Sequence, residues 1–98
     1  MEWYKREWEK FFTPDVKAAL SSASINEAKT TSDDPSSIAE TLVDRLLNTF
    51  VNQRALGHFD RYMILSRWVD RFVKEELIKE SIALIEKTRK DNHNENSN

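Results

Sequence analysis

The sequence contains no cysteine, a single glycine and only two prolines among its 98 residues. The absence of cysteine excludes disulfide bonds and metal sites built from thiolates. The shortage of glycine and proline argues against a β-sheet, because tight turns between strands need residues with special backbone angles. These absences predict a small all-α protein without covalent cross-links.

A strong charge of one sign and a long apolar run are also missing. Fifteen basic and 17 acidic side chains give a formal net charge of −2, which suits neither a basic nucleic-acid binder nor a polyanion mimic. No stretch approaches the roughly 18 consecutive apolar residues that a membrane-spanning helix needs. The N-terminus mixes basic residues with glutamates and does not resemble a signal peptide. The composition predicts a soluble, intracellular protein.

Half of the aromatic side chains lie within the first twelve residues. Residues 2–12 are predicted to form a helix, because the spacing of four aromatic residues places them on one helical face. The four are Tyr4, Trp8, Phe11 and Phe12.

A second, short helix is predicted from residue 14 to about 22. Thr13 can cap its N-terminus, and Pro14 suits the first helical position. Residues 1–22 would then form an N-terminal helical arm. Residues 23–34 are mostly small and polar, and they are predicted to form a flexible linker that leaves the arm free to move.

A longer helix is predicted from about 35 to 56. Asp34 and Pro35 provide a start signal, and Gly57 suits the left-handed residue that often ends a helix. The apolar residues of this helix cover about half of its circumference, which is wider than the stripe of a one-sided surface helix. We therefore expect neighbours on two of its sides.

The last helix is predicted from about 61 to 89 and folds back on the helix before it. The resulting helical hairpin, residues 35–90, is the predicted core, and residues 91–98 are predicted to be a disordered tail. One face of the last helix carries Tyr62, Leu65, Val69, Phe72, Val73, Leu77 and Leu84. A second apolar face carries Met63, Ile64, Trp68, Ile78, Ile82 and Ile85.

Catalytic and metal-binding patterns are missing from the chain. The two histidines, His58 and His93, have no partner at a spacing that suits a metal ion. A single glycine excludes a glycine-rich phosphate loop, and the serines lie mostly in caps and in the predicted linker. The sequence predicts a non-enzymatic protein with no cofactor, no metal, no catalytic residue and no small-molecule substrate.

The aromatic face of the arm has two interpretations. Its spacing suits anchors that dock into a groove of another protein, and tryptophan and tyrosine dominate many interfaces. An aromatic stripe at helical spacing also commonly belongs to a protein's own core. Both interpretations are left open by the sequence.

The predicted function is that of a helical protein–protein interaction module, either a homo-oligomer or an adaptor or accessory subunit of a larger complex. It would act by burying the arm's aromatic face and the second face of the last helix, while Arg67, Arg71 and Lys74 set the orientation by charge. One alternative is a dimeric helical regulator that binds nucleic acid, with the same three cations contacting phosphates. Another is a small inhibitor whose aromatic arm docks into a target protein.

Overall fold

The computed structural model describes residues 2–96, with side chains from residue 2 to residue 91. Over this range the chain is an all-α bundle without strands, which confirms the predicted fold class. Its five helices are α1 (Trp3–Phe11), α2 (Pro14–Thr30), α3 (Pro35–Ala55), α4 (Phe59–Phe72) and α5 (Lys74–Asn96).

The starts of α2 and α3 follow the predicted capping signals. The Thr13 hydroxyl accepts a hydrogen bond from the backbone N–H of Val16 at 3.3 Å. The Asp34 carboxylate accepts one from the backbone N–H of Ser36 at 3.1 Å. A proline follows each cap, where its missing N–H removes no helical hydrogen bond.

The predicted flexible linker over residues 23–34 is wrong over most of its length, because α2 continues to Thr30. Ser24 and Ala28 are buried on the inner face of this helix. Their small side chains allow α2 to lie close to its neighbours, so the segment needs few large apolar residues to pack. Residues 31–34 alone lie outside the helices here.

The predicted last helix, residues 61–89, is divided into α4 and α5 at Val73. The backbone of Val73 has φ −117° and ψ −46°, away from regular helical values. No glycine or proline marks this break in the sequence. The helix α5 extends to Asn96, into the segment predicted as a disordered tail. Residues 97–98 lie outside the described residues.

The turn between α3 and α4 contains two consecutive left-handed residues. Gly57 has φ +79°, as its predicted place at the helix end requires. Leu56 is left-handed as well, with φ 54°, although a side chain makes this conformation unfavourable. α4 then begins at Phe59, and Asp60 lies in its first turn, where a negative charge is favourable.

The core consists of two clusters along α3. The larger cluster joins the C-terminal half of α3 to α4 and to the start of α5, and it includes Phe50, Leu65 and Val69. The smaller cluster joins the N-terminal half of α3 to α2 and α5, and it contains Ala28, Ile38, Ala39 and Ile85. Partly buried Ile78 packs against both clusters.

Candidate interaction surface

The aromatic face of α1 packs against the larger cluster of the same chain. Trp8 stacks on Phe12 with ring centroids 4.7 Å apart, and it meets Phe50 of α3 edge-on at 5.0 Å. Tyr4 lies 5.5 Å from Trp68 of α4. Such aromatic pairs contribute about 0.5–1.5 kcal/mol each beyond the burial of area.

An ion pair also holds α1 in place. The guanidinium of Arg54 donates a hydrogen bond to the Glu7 carboxylate at 3.2 Å, linking α3 to α1. The four predicted anchors of the arm are half-buried in this arrangement and face the chain's own core. In the described conformation these four side chains therefore pack within the chain and are not displayed to a partner.

The predicted second face of the last helix is divided between two environments. Ile85 is buried, and Ile78 and Ile82 are half-buried against the smaller cluster, to which α2 and α3 both contribute. The sequence predicts a partner on this face and a linker over residues 23–34, whereas Ala28 of that segment packs in the same cluster. Trp68 is half-buried beside α1, and only Met63 and Ile64 of this face are exposed.

Six large apolar side chains are exposed to solvent within residues 56–72. We call these six residues together the α4 surface. All of them come from α4 or the turn before it, and the other large apolar side chains of the described residues are buried or half-buried. Phe59 is 73% exposed and Phe72 is 66% exposed. The α4 surface comprises Leu56, Phe59, Tyr62, Met63, Ile64 and Phe72.

Four of these six residues were missed as candidates by the sequence analysis. Tyr62 and Phe72 have the spacing of the core residues Leu65 and Val69, so they were assigned to the inner face. Phe72 is the last residue of α4, directly before the break at Val73, and its ring is exposed. Leu56 and Phe59 flank the turn. The sequence signal that could have identified them is Gly57, a turn residue that lies between these two large apolar residues.

Shallow clefts border the α4 surface. A cleft of about 570 Å³ lies against α1 and the turn and is lined in part by Trp3, Leu56 and Ile64. Another, of about 240 Å³, lies between α1 and the end of α4 and is lined in part by Ile64 and Phe72. Ile64 therefore lines both clefts.

The cations of α4 and α5 have different surroundings. The guanidinium of Arg61 lies 5.8 Å from the centre of the Trp3 ring, and that of Arg71 lies 5.5 Å from the Phe72 ring. Both distances suit cation–π interactions. Arg67 lines the cleft beside Ile64 and forms no ion pair within residues 2–91.

Lys74, the third predicted orienting cation, is held within the chain. Its ammonium group lies 2.8 Å from the Asp44 carboxylate, and this ion pair ties the start of α5 to α3. The hydrogen bond to Asp44 raises the pKa of Lys74 above its ordinary value, against a smaller opposing effect of burial. In this conformation Lys74 therefore links α5 to α3 through its ion pair with Asp44.

The described part of the chain contains neither a candidate metal site nor a candidate membrane span. No group of three or more histidine, aspartate or glutamate side chains there is placed to hold a metal ion. None of the helices described has the length and apolar character needed to cross a membrane. Comparisons with models of protein families, with curated proteins and with solved structures gave no significant match.

Proposed function

We propose that this protein is a helical protein–protein interaction module that binds its partner through the α4 surface. The observation that carries the proposal is the concentration of six exposed large apolar side chains within residues 56–72. Met63 and Ile64 are neighbours on the outer face of α4, and exposed apolar residues that adjoin on a surface are typical of interaction sites. The other large apolar side chains of the described residues are buried or half-buried, so these six are the ones left for a partner to cover.

The kinds of side chain in this region also support the proposal. Aromatic residues, methionine and arginine are enriched at protein interfaces. Phe59, Tyr62, Met63 and Phe72 lie here together with the three arginines of α4. A partner would cover the apolar residues, and the arginines at the rim would favour acidic groups and fix the orientation.

The two alternatives have less support. Nucleic-acid binding relied on three cations, but Lys74 pairs with Asp44 and acidic Asp60 and Asp70 interrupt the basic residues of α4. An inhibitor that docks its aromatic arm would first have to detach α1 from Phe50 and Trp68. That step would expose the aromatic side of the larger cluster to water.

Site-specific photo-crosslinking in the protein's native cells tests the proposal. A benzophenone amino acid replaces Met63 in the full chain, and the same residue replaces Ala83, an exposed position on α5, as a matched control. We expect discrete protein adducts from position 63 that are absent from position 83. Equal labelling from both positions, or none from either, would contradict the proposal.

A further inference from the structure

The solvent-facing side of α4 carries a stripe of four residues with opposite charges at its two ends. Residues 60, 63, 64 and 67 follow the spacing i, i+3, i+4, i+7 and therefore share one face of the helix. All four are exposed, and they lie opposite the buried Leu65 and Val69. Asp60 and Arg67, at the two ends of the stripe, have opposite charges, and Met63 and Ile64 lie between them.

Neither Asp60 nor Arg67 forms an ion pair with another side chain of residues 2–91. The ion pairs of residues 2–91 join other side chains, such as Lys74 with Asp44 and Arg54 with Glu7. Arg61 and Arg71 each lie over a ring of their own chain. Arg67 is the arginine of α4 for which the described residues provide neither an acidic group nor a ring.

We propose that the occupant of this stripe is a second copy of the chain, bound through an antiparallel α4–α4 contact with twofold symmetry. This inference rests on the proposed function and names the partner of the same surface. An axis between Met63 and Ile64 places Asp60 opposite the partner's Arg67, and Arg67 opposite the partner's Asp60. Met63 and Ile64 of both copies then meet at the centre, at 39% and 43% exposure in the single chain.

The charge pattern selects this arrangement over its alternatives. A parallel α4 pair would place Asp60 against the partner's Asp60 and Arg67 against the partner's Arg67, and like charges in contact are unfavourable. A twofold axis at either end of the stripe would also bring like charges together. The antiparallel pair centred between residues 63 and 64 forms two identical ion pairs, as an interface between two copies of one surface requires.

The contact is small, so the dimer should be reversible. α4 has 14 residues and is about 21 Å long. A single helix pair of this length buries less than the roughly 800 Å² per partner of a standard stable interface. We expect the molar mass to rise with concentration from the 11.5 kDa of one chain towards twice that value.

Charge reversal tests the proposal with purified full-length protein. Asp60→Arg and Arg67→Asp are prepared separately, and sedimentation equilibrium is measured up to about 1 mM, a range that detects dissociation constants in the micromolar range. Each variant alone should lose dimerisation, because its two ion pairs become repulsive. An equimolar mixture should regain it, because the reversed charges complement each other. Glu86→Arg on α5 is the control and should dimerise like the unaltered chain.

The mixing step separates a lost contact from a lost fold, since two misfolded variants would not restore each other. Retained dimerisation in either variant alone, or no recovery in the mixture, overturns the proposed pairing. An unaltered chain that remains monomeric at about 1 mM also overturns it. If that monomer still forms adducts with another protein through position 63, a different partner occupies the stripe and the interaction function stands.

Discussion

The hydroxyl oxygens of Ser24 in α2 and Ser81 in α5 lie 3.5 Å apart, and both side chains are buried. The Ser24 hydroxyl also donates a hydrogen bond to the carbonyl of Leu20 at 3.0 Å. Two small side chains facing each other allow the helices to approach closely. This contact, together with the one at Ala28, places α2 over the isoleucines of α5.

A larger side chain at Ser24 should therefore force α2 and α5 apart. We expect Ser24→Leu to lower the free energy of unfolding by about 1–3 kcal/mol, because overpacking displaces neighbours from favourable rotamers. Urea unfolding followed by circular dichroism measures the change. Ser22→Leu is the matched control, since Ser22 is exposed on the same helix and should change stability by less than about 0.5 kcal/mol. Equal effects of the two variants would contradict the close α2–α5 contact.

Trp8 should contribute to stability because it packs within the chain. Trp8→Ala removes its contacts with Phe12 and Phe50, and for a half-buried ring we expect a loss of roughly 2–4 kcal/mol. Phe59→Ala removes an aromatic ring from a 73% exposed position and should cost less than about 0.5 kcal/mol. Thermal unfolding compares the two variants. A Trp8 variant that keeps full stability but loses its partner would restore the docking role of the arm.

Leu56 combines an unfavourable backbone conformation with an exposed side chain. Leu56→Gly should raise the free energy of unfolding by about 0.5–1 kcal/mol, because glycine adopts φ 54° without a steric penalty. The same substitution removes one apolar residue of the α4 surface and should weaken partner binding. Gln53→Gly, at a regular helical position of α3, is the control and should lower stability by about 0.5 kcal/mol. Destabilisation by Leu56→Gly would contradict the left-handed conformation.

The Lys74–Asp44 ion pair should make stability depend on alkaline pH. The pKa of Lys74 is raised in the folded state, so the pair stabilises the fold below the ordinary value of 10.5 and is lost as the pH rises through the folded-state pKa. With Lys74 35% and Asp44 49% exposed, the contribution should be about 0.2–1 kcal/mol. Melting temperatures between about pH 9 and pH 12 measure it. Asp44→Asn should flatten this part of the profile, whereas Glu75→Gln, at an exposed pair with Lys79, should not.

Local signals in the sequence were sufficient for the helical class and for several helix boundaries. Thr13 and Asp34 were identified as caps because capping depends on neighbouring backbone groups. α3 begins at Pro35 and ends at Ala55, close to the predicted range of 35 to 56. Gly57 marked the end of α3 because its conformation is a local requirement.

The errors concern features that depend on tertiary packing. Residues 23–34 are too polar for their sequence to predict an ordered helix. A small residue such as Ser24 helps a helix to pack only if another small residue lies opposite it, and the sequence does not show that Ser81 does so. The break at Val73 has no local sequence signal. The first error changed the candidate site, because three predicted partner-binding isoleucines pack in a cluster to which α2 contributes Ala28. Phe72, predicted to lie on the inner face, is exposed.

The two clusters of the core should differ in how often they open. α2 contributes only Ser24 and Ala28 as buried residues, whereas the larger cluster contains Phe50, Leu65 and several aromatic neighbours. Arg89 of α5 donates hydrogen bonds to the carbonyls of Ala28 and Thr31, and these bonds fasten the end of α2. When they break, α2 can detach while α3 and α4 remain folded, so its amide hydrogens should exchange with solvent first. The α4 surface lies on the larger cluster and would keep its shape while α2 opens.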